Sequence, residues 1–387
     1  MPATSAAVLD YVRAQRKPLV AFLGELVRAE SPSTDPGSQS GVRSLLAAEL
    51  EERGFATRFV AGRRTGGHLI ARPRGRKRQA RQQLVIGHYD TVWPVGTLQT
   101  MPFSYDGRHV RGPGVFDMKG GLAELMFALR AIEALKLSMS VVPIVFLNSD
   151  EEIGSPESTP YIVRLARAAE RALILEPSLG PAGALKTARK GVGSYTISVE
   201  GRAAHAGLDP ERGVSAILEL SYLIQKLFAL NDPAHGVTVN VGTVDGGVRP
   251  NVIAPESRAV VDVRIAHQAD AERIDAELRG LEPTSPGTTL KVEGGIGRPA
   301  LEPTPRNRAL WRLARRLGAE IGLELTEGAA GGASDGNTTS LYTATLDGLG
   351  PVGDGAHAHH EHLDIDHTIE RAALLALLLL APPLTEN

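Results

Sequence analysis

The chain has 387 residues, which at about 150 residues per domain suggests two or three domains, and its 42% hydrophobic and 22% charged content excludes disorder. It carries 42 basic and 44 acidic residues for a formal net charge of −2, which argues against nucleic acid or an anionic membrane as the main partner. There is no cysteine, so disulfides, thiol catalysis and thiolate metal sites are excluded, and any metal must rest on His, Asp and Glu.

In chain order, the N-terminus carries Asp10, Arg13, Arg16 and Lys17 and has no uncharged apolar stretch. It does not read as a signal peptide, so the cytoplasm is the expected compartment; a periplasmic chain without its leader would read the same. Helical periodicity covers 6–28, with a break near Lys17-Pro18, and then 41–53. Short strands are expected at 56–60 and 68–72. The segment 72–81 holds Arg72, Arg74, Arg76, Lys77, Arg78 and Arg81 without interleaved aromatics, and reads as a solvated loop. An apolar strand at 84–87, a long loop, a helix at 119–134 and a buried strand at 141–147 follow. A helix near 156–168 and a strand at 172–175 complete an alternation that predicts an α/β fold with a mostly parallel sheet.

After Gly191 the pattern changes. Alternating strands at 192–200, 237–244 and 258–265, helices at 211–230 and 269–281, and a short strand at 288–292 give the order β-α-β-β-α-β. This predicts a ferredoxin-like α+β lid, 191–301, inserted into a discontinuous catalytic domain, 1–190 and 302–387. The apolar run 372–381 is too short to span a bilayer and reads as a buried terminal helix.

Five segments place polar groups at strand ends or in glycine-rich loops, where open parallel sheets build their sites. They are His88-Tyr89-Asp90; Gly114-Val115-Phe116-Asp117-Met118-Lys119-Gly120-Gly121; Asp150-Glu151-Glu152; Glu176-Pro177; and Gly355-Ala356-His357, followed by His359, His360 and His362. A carboxylate at Asp90 can accept from the His88 ring nitrogen that faces away from a metal. Three successive acids are costly to crowd unless a cation compensates. Each segment also has an ordinary structural reading: Asp117 as a helix cap, the acids as a solvated turn, the histidines as surface composition. Together, in a chain without thiols, they point to a metal.

These segments resemble the M20 family of metallopeptidases, in particular its glutamate-carboxypeptidase branch, as does the lid through Gly201-Arg202-Ala203-Ala204-His205-Ala206-Gly207 and Pro210-Glu211-Arg212-Gly213. The resemblance implies two zinc ions, with cobalt or manganese as alternatives. Asp117 would bridge them, His88 and Glu176 would complete one, and Glu152 and His357 the other. Glu151 would be the general base, with Asp90 beside His88. The lid would form a homodimer and lend His205 across it, while Asn251 and Arg264 would hold the substrate's free carboxylate. The loop 186–190 offers Lys186, Arg189 and Lys190 as candidates for a side-chain pocket. The implied activity is hydrolysis of an amide bond next to a free α-carboxylate, releasing glutamate from folate-like or N-acyl substrates. An N-acyl-amino-acid deacylase of the same family is the nearest alternative, and a metal-dependent binding protein without catalysis a further one. The partner is a small peptide or N-acyl amino acid, with no nucleic acid and no membrane.

Overall fold

A computed structural model describes residues 2–76 and 79–384. Contacts divide the chain into two compact units, Met1–Thr187 with Pro303–Ala330 and Ser334–Asn387, and Ala188–Glu302 with Gly331–Ala333. The three-residue return at Gly331–Ala333 is absent from the contiguous boundaries expected from sequence.

The first unit contains a six-stranded sheet in the order Phe55–Val60, His68–Pro73, Val142–Asn148, Gln82–His88, Arg171–Ile174, Ala344–Leu346. The last four strands run parallel; the first two are antiparallel to their neighbours. Leu84-Val85-Ile86 and Ile144-Val145-Phe146-Leu147 read as unbroken apolar runs because both sheet faces are covered. Val85, Leu147 and Leu173 pack into the cluster that takes in the helices Gly120–Ala134 and Ile365–Leu380. Ile70, Leu84, Ile86, Ile144 and Phe146 pack on the other face with Ile162 and Leu165 of the helix Thr159–Ala166.

The second unit is a four-stranded antiparallel sheet ordered Thr238–Gly246, Glu256–Ile265, Gly191–Glu200, Thr289–Arg298. Its alternating Tyr195, Ile197, Val199, Ala259, Val261 and Val263 form a core with Leu220, Leu223 and Leu227 of the helix Ala216–Ala229 and with Ile274 and Leu278 of Gln268–Arg279. The helix expected from residue 211 begins at Ala216. Pro210–Arg212 forms a separate turn, Gly213 is extended, and Ser215 caps the helix by accepting from the Leu218 N–H.

Three further expectations are corrected. The long loop after Gly87 contains strands Ser104–Tyr105 and His109–Arg111, which pair with Gly353–Asp354 and His362–Asp364 in a small antiparallel sheet. The expected loop 186–190 largely belongs to a strand, Leu185–Arg189, paired with Glu327–Ala330. The basic segment 72–81 is not wholly a solvated loop, since Arg72 lies within a strand and is half-buried; Lys77 and Arg78 lie outside the described residues. Among the described residues, no helix is long and apolar enough to cross a membrane.

The terminal helix is tied to the sheet by one buried cation. Arg171 is fully buried, and its guanidinium donates to Gln83 Oε1 at 2.8 Å and to the carbonyls of Leu378, Ala381 and Pro382 at 2.7–3.1 Å. It thereby gives the Leu378 carbonyl a second donor, beside the Ala381 N–H, and supplies donors to the Ala381 and Pro382 carbonyls just past the helix end. Arg171→Ala is expected to cost roughly 3 kcal/mol, because several buried acceptors lose their donor together. Denaturant unfolding checks this, and an unchanged midpoint would show that the carbonyls find other donors.

Candidate metal centre

The expected ligand residues come from separate elements of the first unit. His88 ends the strand Gln82–His88, Glu151 and Glu152 follow the adjacent parallel strand, and Glu176 follows Arg171–Ile174. These are carboxyl ends of parallel strands, where side chains can project past the backbone ladder. Asp117 precedes the helix Gly120–Ala134, and His357 lies in the connection between Gly353–Asp354 and His362–Asp364, at φ +61°.

These side chains converge. His88 Nε2 lies 3.2 Å from Asp117 Oδ1 and 3.5 Å from Glu176 Oε1. His357 Nε2 lies 3.0 Å from Glu152 Oε2 and 3.5 Å from Asp117 Oδ2. Asp117 therefore offers one oxygen to each histidine. Ligand atoms of His88, Asp117 and Glu152 lie within 4.8 Å of one another, as do those of His88, Glu151 and Glu176.

The electrostatics call for positive charge at two places. Burial disfavours a charged His88, but Asp117, Asp90 and Glu176 outweigh it and hold its pKa well above the ordinary histidine value. Hydrogen bonds to Asp117 and Glu152 raise His357 to about 10. Burial also raises Asp117, yet the two imidazoles win and hold it below the usual carboxylate range. Burial pushes Glu152 up to about 7, and its buried Oε1 has no hydrogen-bond partner. Protons on the two imidazoles offset part of the charge of these carboxylates. Two imidazoles and several carboxylates, with an orphaned carboxylate oxygen, fit divalent ions that accept nitrogen and oxygen ligands.

Other buried carboxylates position this set. The acceptor aligned on His88 Nδ1 is the Asp90 main-chain carbonyl, at 3.0 Å; the Asp90 carboxylate stands at 3.4 Å. Carbonyl and carboxylate of Asp90 thus both stand at Nδ1, which leaves Nε2 to face the cluster. The carboxylate also accepts from Ser33 Oγ at 2.6 Å and from the N–H groups of Glu151 and Glu152 at 3.3 and 3.2 Å. Asp150 is buried and accepts the N–H groups of Glu157 and Ser158, so it serves the turn rather than the cluster.

Glu361 is the residue whose role the sequence did not reveal, although its place four residues after His357 was the available signal. It is 1% exposed and accepts four hydrogen bonds: from the N–H groups of Gly114, Phe116 and Asp117 at 2.9–3.0 Å and from Trp93 Nε1 at 2.8 Å. The glycines of the Asp117 segment serve two purposes. Gly114 turns at φ +73°, while Gly121 is helical and permits close approach: a Cβ there would lie 2.2 Å from the Leu175 carbonyl oxygen.

The remaining expected residues lie elsewhere. Lys186 and Arg189 are buried, and Arg189 donates to the Gly332 carbonyl at 3.1 Å. Lys190 reaches Thr238 Oγ1 at 3.4 Å. Neither Lys186 nor Arg189 stands on the open loop expected for a pocket. His205, Asn251 and Arg264 belong to the second unit. His205 Nδ1 accepts from the N–H groups of Gly207 and Leu208, both at 3.1 Å, which leaves Nε2 as the protonated nitrogen of the neutral ring. The Asn251 carbonyl accepts the Ala206 N–H beside it. Arg264 is engaged by Asp262, with Nε and Nη2 donating at 2.8 and 2.9 Å, so its fork would have to exchange partners to take a substrate carboxylate.

Glu361→Gln places an amide NH2 against donors already aimed at that position. The variant is expected to keep its fold but bind metal about 10–100-fold more weakly. Competition with a chromophoric chelator, alongside circular dichroism, checks this; unaltered affinity would remove the positioning role.

Residues 187–281 match the family model described as a peptidase dimerisation domain. The chain is 29% identical over 379 residues to carboxypeptidase G2 of Pseudomonas sp. (strain RS-16), covering 94% of this chain and 88% of that protein. It is 26% identical over 373 residues to a succinyl-diaminopimelate desuccinylase of Azoarcus sp. (strain BH72), covering 90% and 93%. Its fold matches that of the Bacillus subtilis YXEP protein, a dinuclear metal-binding peptidase from the M20 family, with a TM-score of 0.66, 14% identity and coverage of 95% and 98%. The dimerisation domain, the end-to-end similarity and the convergent His and carboxylate cluster together identify this chain as an M20-family metallopeptidase.

Proposed function

We propose that this hydrolase cuts an amide bond next to a free α-carboxylate and releases C-terminal glutamate from folate-like or N-acyl-glutamate substrates. The observation that carries the reading is the arrangement of Asp117, with one carboxylate oxygen toward His88 and the other toward His357. It supports two ions, one that His88, Glu176 and Asp117 would hold and one that Glu152, His357 and Asp117 would hold. When bound, two zinc ions supply Lewis acidity that lowers the pKa of water and polarises a carbonyl.

The chain's own residues divide the remaining work. Glu151, whose carboxylate lies within 4.8 Å of the His88 and Glu176 ligand atoms, takes the proton of the attacking water. It later returns that proton to the leaving amine, so a single carboxylate acts first as base and then as acid. The N–H groups of Glu151 and Glu152, held by Asp90, keep the base from drifting out of reach. His205, whose Nδ1 accepts backbone N–H groups so that Nε2 is the donor, suits donation to a developing oxyanion. Asn251 and Arg264 hold the α-carboxylate, Arg264 by leaving Asp262, and Lys186, Arg189 and Lys190 are the candidates for a side-chain pocket.

Homodimerisation through the second unit is part of the reading. Its outer strand Thr238–Gly246 has one unpaired edge in its sheet, and Ile217, Leu218 and Val244 are exposed nearby on the same unit. The desuccinylase similarity favours a second reading, N-acyl-amino-acid deacylation, in which the α-carboxylate is held in the same way and the acyl group differs.

Glu151→Ala is expected to retain both metals and lose about 10²–10⁴-fold in kcat. Loss of metal with residual wild-type-like turnover would reverse the assignment. Metal analysis after chelation and zinc titration is expected to return about two equivalents per chain with restored activity; one equivalent would remove the bridging role of Asp117. A panel of N-acyl-glutamate, N-acyl-aspartate and N-acyl-alanine then separates the two readings, since only a glutamate enzyme prefers the first.

A further inference from the structure

Charge is unevenly spread along this chain. Between Gly54 and Tyr89 there are nine Arg or Lys residues and no Asp or Glu, although the whole protein carries a net charge of −2. The structure folds part of this segment against the helix Thr159–Ala166. His68, Ile70 and Arg72 alternate onto the sheet face that this helix covers, and Arg58, paired in register with Ile70, shares that face.

A surface cavity of about 750 Å³ opens here, lined by Arg63, Arg64, Arg164, His68, Tyr161, Pro156, Pro160, Ala61 and Glu157. Its single acid is already engaged: the Glu157 carboxylate accepts from the N–H groups of Arg63 and Arg64 and from Thr65 Oγ1 at 2.8–3.0 Å. Arg164 lies over the Tyr161 ring at 5.4 Å. His68 is 1% exposed, and its Nδ1 has no hydrogen-bond partner.

Arg164 also joins the cavity to the arginines beyond it. Burial, and then the charges of Arg76, Arg164 and Arg58, all act to lower the pKa of Arg72, with no carboxylate opposing them. Arg72 Nε and Arg76 Nη1 are buried without hydrogen-bond partners. Among the described residues, none of Arg58, Arg63, Arg64, Arg72, Arg76 or Arg164 forms an ion pair. Guanidinium groups held close together and partly desolvated without an anion repel one another, and planar forks of this kind match phosphate oxygens.

We propose that this arginine-lined cavity, apart from the metal centre, binds a small phosphate-bearing ligand: free phosphate or a phosphate monoester. Arg164, on the cavity wall, grips the phosphate, and Arg72, on the same sheet face as His68, adds positive charge beside it. Tyr161, Pro156 and Pro160 offer an apolar wall for the organic part of an ester, and the volume suits a ligand of nucleotide size.

Calorimetric titration of the metal-loaded protein with inorganic phosphate, adenosine 5′-monophosphate and adenosine tests the site. Arg72→Met/Arg164→Met is expected to weaken phosphate and monophosphate binding at least about tenfold, with kcat/KM unchanged and a Tm in phosphate-free buffer equal to or above that of the parent. Adenosine alone is expected not to bind. Monophosphate binding tighter than phosphate assigns an ester, and equal binding assigns the free anion. If the double variant fails to fold, the exposed Arg58→Met serves as the second variant and is expected to weaken binding in the same direction. Identical isotherms for parent and variants, or equal binding of adenosine and its monophosphate, would overturn the proposal. Anion held only at the metal centre would give that first result.

Discussion

The carboxylate of Glu361 accepts three backbone N–H groups from the loop that carries Asp117 and a fourth from the Trp93 indole. Burying a carboxylate is costly unless its lone pairs are filled, and here four donors fill them. The consequence is geometric. Glu361 travels with His357, so the bonds that satisfy it bring the Asp117 loop and the His357 segment into one place. The small antiparallel sheet works to the same end, pairing His362 with Arg111 and Leu363 with Val110. Asp117 can then present one oxygen to each histidine.

The same rule organises the opposite side of the cluster. Asp90 accepts the N–H groups of Glu151 and Glu152, and Asp150 accepts those of Glu157 and Ser158. Buried acids of one group accept backbone donors and act as struts. Those of the other group, Asp117, Glu152 and Glu176, face histidines and need positive charge. A metallopeptidase requires this division, because a carboxylate already filled by N–H groups is a poor metal ligand. The basic stripe on His68–Pro73 poses the opposite problem, with cations that lack acids, in a chain whose overall charge is close to balanced.

Much of this architecture could be read locally. Unbroken apolar runs at Leu84-Val85-Ile86 and 144–147 marked central strands, and the alternation of Tyr195, Ile197 and Val199 marked a half-covered sheet. Such patterns survive in sequence because a strand's burial is set by its own side chains. Strands Ser104–Tyr105 and His109–Arg111 were illegible because they are two and three residues long, and the strand that ties the pair to the rest of its sheet lies about 250 residues away. Lys186 and Arg189 looked like loop cations, but the strand Leu185–Arg189 buries them, and neither composition nor spacing carries that information.

The sequence by itself determined which residue types could meet: histidines and carboxylates at strand ends, no thiols, and glycines where backbones approach closely. Tertiary structure decided which atoms face which. It turned Asp150 and the Asp90 carboxylate toward backbone donors, directed Asp117 toward both histidines, occupied Arg264 with Asp262, and gave Glu361 its four donors. The physical reason is that a carboxylate's role depends on which donors or cations reach it, and in a folded chain those arrive from segments far away in sequence.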